Sequence, residues 1–323
     1  MVGATLVVAQ GRHKACPYER LQAMKAKPRE RITERTNPAS ESLDTKATRE
    51  ILRIINREDD RVVPAVRKAL PQITRAVDLA VEAVRKGGRL VYLGAGTSGR
   101  LGALDAAEAM PTFATDRVVA VVAGAPASLT HSVEGVEDDP RQAVRDLRKI
   151  KFNRRDLLVG IAASGRTPYV LGGMRYARRL GAKVVGLTSN PDAPMKTLAH
   201  VSIIPVVGPE VIAGSSRMKA GTAQKLVLNM LSTATMVRLG RVLSHWMVCV
   251  QVTNQKLRKR AQGIVMRLTG ASEMAAARAL RESGDNLPVA LLMLLKQIPR
   301  AEAARQIEQG PSAAKVLREA MRK

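Results

Sequence analysis

The chain has 323 residues, of which 46% are hydrophobic and only 2% aromatic, so it can bury a sizeable core and that core must be aliphatic. Scarce aromatics argue against a reader of single-stranded nucleic acid, which stacks bases on exposed rings. Two distant cysteines, Cys16 and Cys249, argue against a disulfide scaffold or a zinc site and for a cytoplasmic protein. No apolar run nears the ~20 residues that span a bilayer. The net charge of +25 is spread along the chain rather than gathered in a stripe, so neither a membrane nor nucleic acid is expected as a partner.

Residues 1–31 read as a basic, loosely ordered extension, with Pro17, Pro28 and no sustained periodicity. The apolar patch at Leu6, Val7 and Val8 has no positive stretch before it and makes a poor secretory signal. From about Ser42 the pattern turns helical: Ile51, Ile54 and Ile55 recur at helical spacing, and Val66, Leu70, Ile73, Val77 and Val84 continue to a stop at Gly87 and Gly88. Short Val/Ile/Leu runs then alternate with helical stretches, at 89–93, 117–123, 157–161, 183–187 and 201–207. Such runs are strands buried on both faces, and their alternation with helices predicts an α/β, doubly wound, five-stranded parallel sheet. A polar loop at 208–221 leads to a long apolar helix at 222–239. A small helical bundle is expected at the C-terminus. The division predicted is an extension at 1–31, a sheet domain with N-terminal helices at 32–255, and a helical region at 256–323.

Two loops carry the chemistry. The first, Gly94-Ala95-Gly96-Thr97-Ser98-Gly99-Arg100, follows a strand directly and opens a helix. Its glycines admit a close anion, and the hydroxyls and unpaired helix N–H groups supply donors. It is not a dinucleotide fingerprint, because the next strand ends in Ala123-Gly124-Ala125 without the ribose-binding acid expected about twenty residues on. It lacks the Gly-Lys-Ser/Thr of a nucleotide P-loop. The second loop, Ala162-Ala163-Ser164-Gly165-Arg166-Thr167-Pro168, repeats the arrangement after another strand. Together the two point to a phosphorylated sugar. A third segment, from Gly208 to Thr222, sets Ser215, Ser216, Arg217 and Lys219 around the carboxylate of Glu210.

The hydroxyl loops resemble the sugar isomerase domain. Longer strings are more specific: Leu93 to Gly102, Val133-Glu134-Gly135-Val136-Glu137-Asp138-Asp139, Gly160 to Val170, the Glu210 loop, Gln224 to Thr233, and Thr33-Glu34-Arg35-Thr36-Asn37-Pro38. These resemble the N-acetylmuramic acid 6-phosphate etherase family, a group of lyases. The resemblance implies elimination of lactate from C3 of an open-chain amino sugar, followed by water addition, with no cofactor and no metal. It makes Glu108 the proton donor and Glu137 its partner acid/base, although from the residues alone Glu134, Asp138 and Asp139 are equally plausible acids. It places Thr97, Ser98, Ser164 and Thr167 on the 6-phosphate and Ser215, Ser216 and Lys219 over the sugar, with Glu210 also in the site as a second candidate base. Arg100 and Arg166 either contact an anion or cap their own loops. It implies a homodimer, with Thr269-Gly270, Ala279-Leu280 and Asn286 belonging to a ubiquitin-associated-like three-helix bundle. Glucokinase regulators resemble the same family, which leaves a non-catalytic phosphosugar-binding regulator as the alternative. Met110 stands where the family has proline, so the Glu108 helix is expected to end differently, and Cys249 stands near a position where the family has aspartate.

Overall fold

The structure, a computed structural model, describes residues 31–322. The basic extension therefore lies outside the described residues, Arg31 excepted. Three helices come first: α1 (Thr48–Asp59), α2 (Val62–Lys68) and α3 (Leu70–Arg85). The run expected to be continuous from Val66 to Val84 is divided at Ala69. Pro71, near the start of α3, has no N–H to continue α2 and suits a first helical turn, where that donor would go unused.

The strands and helices then alternate. They are β1 (Leu90–Gly94), α4 (Gly96–Phe113), β2 (Val118–Val122), α5 (Pro140–Lys149), β3 (Leu157–Ile161), α6 (Pro168–Arg179), β4 (Lys183–Leu187), α7 (Met195–Leu198), β5 (Val201–Ile203) and α8 (Lys219–Arg238). All strand pairs are parallel, in the order β2-β1-β3-β4-β5. Every residue of β1 and β3 is buried, as continuous apolar runs require. Successive side chains serve opposite faces: Leu90 and Tyr92 pack with α2, α3, α4 and α8, while Val91 and Leu93 pack with α5 and α6. Strand β5 stops at Ile203, short of the expected 207, and Pro205 has no N–H with which to extend the ladder. Helix α4 runs through Met110 and Pro111 to Phe113, so Met110 does not end it.

The C-terminal region differs from a three-helix bundle. Five helices follow: α9 (Gln255–Thr269), α10 (Glu273–Glu282), α11 (Leu287–Lys296), α12 (Arg300–Gln309) and α13 (Ala313–Ala320). The reason is α11, whose Leu-Pro-Val-Ala-Leu-Leu-Met-Leu-Leu sequence is apolar on most sides and is packed by all four others. Their core also draws in Leu243, Val248 and Val250, ahead of residue 256. The motif residues here are caps: Gly270 ends α9 in the left-handed conformation, and the Asn286 side chain accepts from Val289 N at the start of α11. Among the described residues no helix is long and apolar enough to cross a membrane.

Candidate active site

The strand order places a switch point between β1 and β3: from there the chain winds outward to β2 on one side and to β4 and β5 on the other. Ligands of such sheets bind in the crevice beyond the strand ends at that point. Gly94 of β1 is in register with Ile161 of β3, so both hydroxyl loops leave the sheet at one level.

The first loop is made possible by contact between two glycines. A Cβ on Gly99 would lie 2.8 Å from the Gly94 carbonyl oxygen and 2.6 Å from Val122 Cγ1, so strand and helix can meet this closely only without side chains there. The cap position Ala95 offers no side-chain acceptor to the first turn of α4. The N–H groups opening α4 are therefore uncapped beside Thr97 and Ser98, an arrangement suited to phosphate. In the second loop Ser164 Oγ accepts from Arg166 N at 3.2 Å, which leaves the hydroxyl proton to donate outward. Thr167 precedes α6 and makes no side-chain cap.

The segment 124–139 completes one side. Ala95, Gly96, Arg100, Ser128 and residues 132–137 line a cavity of about 290 Å³ that holds Glu137 beside the first loop. The Glu137 carbonyl accepts from Tyr169 N at 3.0 Å, in the turn that follows the second loop. Glu137 is thus brought to both loops. Glu108 is not: it lies twelve residues along α4 from Gly96, ~18 Å at the rise of a helix. It is exposed, on the same stripe as Leu104, which is 53% exposed.

Two residues expected at the substrate, Glu210 and Lys219, are held in networks within the protein. Glu210 and Lys219 are both fully buried. Glu210 caps α8, its oxygens accepting from Lys219 N at 3.0 Å and Ala220 N at 2.9 Å. Burial pushes its carboxyl up, against those two bonds and the Lys219 charge. The Lys219 ammonium is paired with Glu58 of α1, a carboxylate that also accepts from Asn37 Nδ2 at 2.8 Å. Helix α8 starts at Lys219 and not at 222, so this lysine belongs to the helix and not to a mobile loop over the sugar. Ser215 and Ser216 stay half-buried, Gly221 N donates to Ser216 O at 3.0 Å, and a Cβ on Gly221 would lie 3.5 Å from Thr97 Cγ2. The turn carrying Ser216 therefore abuts the first loop.

The sequence reading missed Asp105. It is 7% exposed, and accepts from Tyr92 Oη and Asn229 Nδ2 at 2.8 Å and from Ser232 Oγ at 3.0 Å. Burial raises its carboxyl despite these donors, and burial together with the Asp105 charge pushes the Tyr92 phenol well up. The only signal was its place three residues before Glu108. Thr33 and Asn37, from the N-terminal string, are structural: Asn190 ties Thr33 to Ala163 O beside the second loop, and Asn37 bonds Glu58. Among the described residues no cluster of three or more His, Cys, Asp or Glu is placed to hold a metal.

The model of the glucokinase regulatory protein N-terminal SIS domain matches residues 72–178, and the SIS domain model matches residues 142–234. A phosphoheptose isomerase from Neisseria gonorrhoeae aligns with a TM-score of 0.47 at 16% identity, over 58% of this chain and 98% of that one. The N-acetylmuramic acid 6-phosphate etherase of Edwardsiella ictaluri is 51% identical over 279 residues, 86% of this chain and 93% of its own. That of Yersinia pestis is 52% identical over 277 residues, 85% of this chain and 94% of its own. With identity at that level across nearly the whole of these relatives, the chain belongs to the N-acetylmuramic acid 6-phosphate etherase family.

Proposed function

We propose that the chain is a lyase that cleaves the C3 lactyl ether of N-acetylmuramic acid 6-phosphate, giving N-acetylglucosamine 6-phosphate and D-lactate in the recycling of cell-wall amino sugars. The observation that carries the reading is the cavity in which Glu137 sits beside the uncapped start of α4, at the switch point of the sheet. An acid/base next to an anion anchor suits a phosphosugar whose reacting carbons lie a few bonds from its phosphate. Membership of the family supports the same substrate.

In the open-chain sugar the C1 aldehyde acidifies the C2 proton. One glutamate takes that proton, and the lactate oxygen leaves C3 with a proton from the other. Water then adds to C3 of the resulting double bond while C2 regains a proton. One water is consumed and no electron changes hands. By the family resemblance Glu108 is the proton donor and Glu137 its partner, each contributing as a positioned proton-transfer group. Thr97, Ser98, Ser164 and Thr167 hold the phosphate, and Ser215 and Ser216 close on the sugar. We place this activity in the cytoplasm, within the sheet domain predicted over residues 32–255.

The separation of Glu108 from the first loop along α4 supports a homodimer. One chain leaves Glu108 exposed, ~18 Å along α4 from Gly96, beside the uncovered Leu104; a second copy covers that stripe and brings Glu108 to a partner's cavity. Lactate release from N-acetylmuramic acid 6-phosphate tests the whole reading. Release is expected from the wild type, and not from Glu108→Ala or Glu137→Gln. Mixing the two variants should restore part of it, since one site in a mixed dimer is then intact. Tight phosphosugar binding without lactate would instead favour the regulatory reading suggested by the match to the glucokinase regulatory protein domain.

A further inference from the structure

Arg100 lies one turn into α4, beside the groups proposed to hold phosphate. A cation there can meet a bound anion or hold protein. The structure spends it on protein: Nε donates to the Ser128 carbonyl at 2.8 Å, and a terminal nitrogen donates to the His131 carbonyl at 2.8 Å. Both acceptors belong to the 124–139 segment, which carries Glu137 and walls its cavity. Several backbone bonds of this stretch close within it, among them Ser128 N to Gly124 O and His131 N to Ala127 O. The Ser128 hydroxyl is buried without a partner, so it adds no second tie. At its far end the segment is fixed to α6. The Glu137 carbonyl accepts from Tyr169 N, and Gly172 lets Pro140 come so close that a Cβ there would lie 2.3 Å from the Pro140 oxygen. Glu137 is therefore suspended between the two helices that open from the two loops, on α6 by its own carbonyl and on α4 through Arg100.

We propose that Arg100 is a positioning residue: its two-pronged hydrogen bond to the Ser128 and His131 carbonyls holds the wall that carries Glu137, so that the helix anchoring the phosphate also aims the acid. This rests on the function proposed above. The fork needs a planar guanidinium with donors in fixed directions, which a lysine does not provide. Arg100→Lys and Arg100→Ala should each lower kcat roughly 10- to 100-fold, the scale of a misplaced catalytic group. KM should change less than about threefold, because the phosphate contacts stay in place. Added guanidinium should partly restore kcat in Arg100→Ala. Amide hydrogen exchange should quicken across 124–137 in both variants while 168–179 stays as in the wild type. Unchanged exchange in 124–137, or a KM that rises while kcat holds, overturns the proposal and makes Arg100 an anion ligand. If the wild type releases no lactate, the functional reading fails by itself, and exchange alone then decides the role of Arg100.

Discussion

Removing the Glu58 carboxylate tests a buried ion pair. The side chains of Glu58 and Lys219 are each 1% exposed and form an ion pair between α1 and the first residue of α8. Asn37 donates to the same carboxylate, and Arg61 meets its other oxygen at 3.1 Å. Burial alone would push the Glu58 carboxyl up. The hydrogen bonds from Lys219 and Asn37, with the charges of Lys219 and Arg61, outweigh burial and hold it below the usual glutamate range. Glu58→Gln keeps the volume but removes the ion-pair partner of the buried Lys219 ammonium, at a cost of about 3–5 kcal/mol. At about 2 °C per kcal/mol in a chain of this size, the thermal midpoint should fall by roughly 6–10 °C. Calorimetry at neutral pH reads the shift. The double variant Glu58→Leu with Lys219→Met buries no charge and should lose less than the single one. The sign with pH follows from the lowered folded value. The stabilisation is present above the ordinary glutamate pKa and is lost as pH falls through the depressed one, so wild type and Glu58→Gln should converge in acid. A single variant within a degree or so of wild type, or a double variant worse than the single one, would refute the reasoning.

Gly99→Ala forces a methyl against the Gly94 carbonyl and Val122, which should cost about 1–3 kcal/mol and spread the first loop. Titration calorimetry with N-acetylglucosamine 6-phosphate should show weaker binding, and wild-type affinity would count against the loop as the phosphate anchor. Asp105→Asn removes a carboxyl that burial raises, so its effect should depend on pH with the opposite sign to Glu58. The wild type loses stability as pH climbs from the ordinary aspartate value through the raised folded one; Asp105→Asn should gain on it as pH rises above the ordinary aspartate value, as read from urea midpoints. A difference constant with pH would show that Asp105 titrates normally in the folded chain.

What the sequence makes legible depends on how local the deciding physics is. Both hydroxyl loops were readable because each follows a fully buried apolar run directly, and a strand followed by Gly and Ser opening a helix is decided within about ten residues. The buried network of Glu210 and Lys219 is not legible in the sequence, because hydroxyls and cations around a carboxylate look alike whether they face a ligand or close such a network. What separates the cases is Glu58, 161 positions from Lys219 and brought there only when the end of α1 meets the start of α8. The bundle was underestimated for a related reason. Its motif residues cap helices that do form, but the cover α11 demands is a property of how apolar it is all round, and no cap records that.

Helix α4 shows why the site resists a one-chain description. Its first turn is uncapped beside the first loop, and one turn on Arg100 holds the wall that carries Glu137. Asp105 then bonds Tyr92 of β1 and Asn229 and Ser232 of α8, which fixes the rotation of the helix about its axis. Glu108, three residues later, inherits that rotation while its own side chain meets solvent. In the proposed dimer one rigid helix therefore serves two sites, anchoring phosphate in its own subunit at one end and delivering a proton donor to the partner at the other. The buried Asp105 network is what keeps those two tasks in register, because a helix free to roll would carry Glu108 away from the partner's cavity while leaving its own phosphate loop nearly in place.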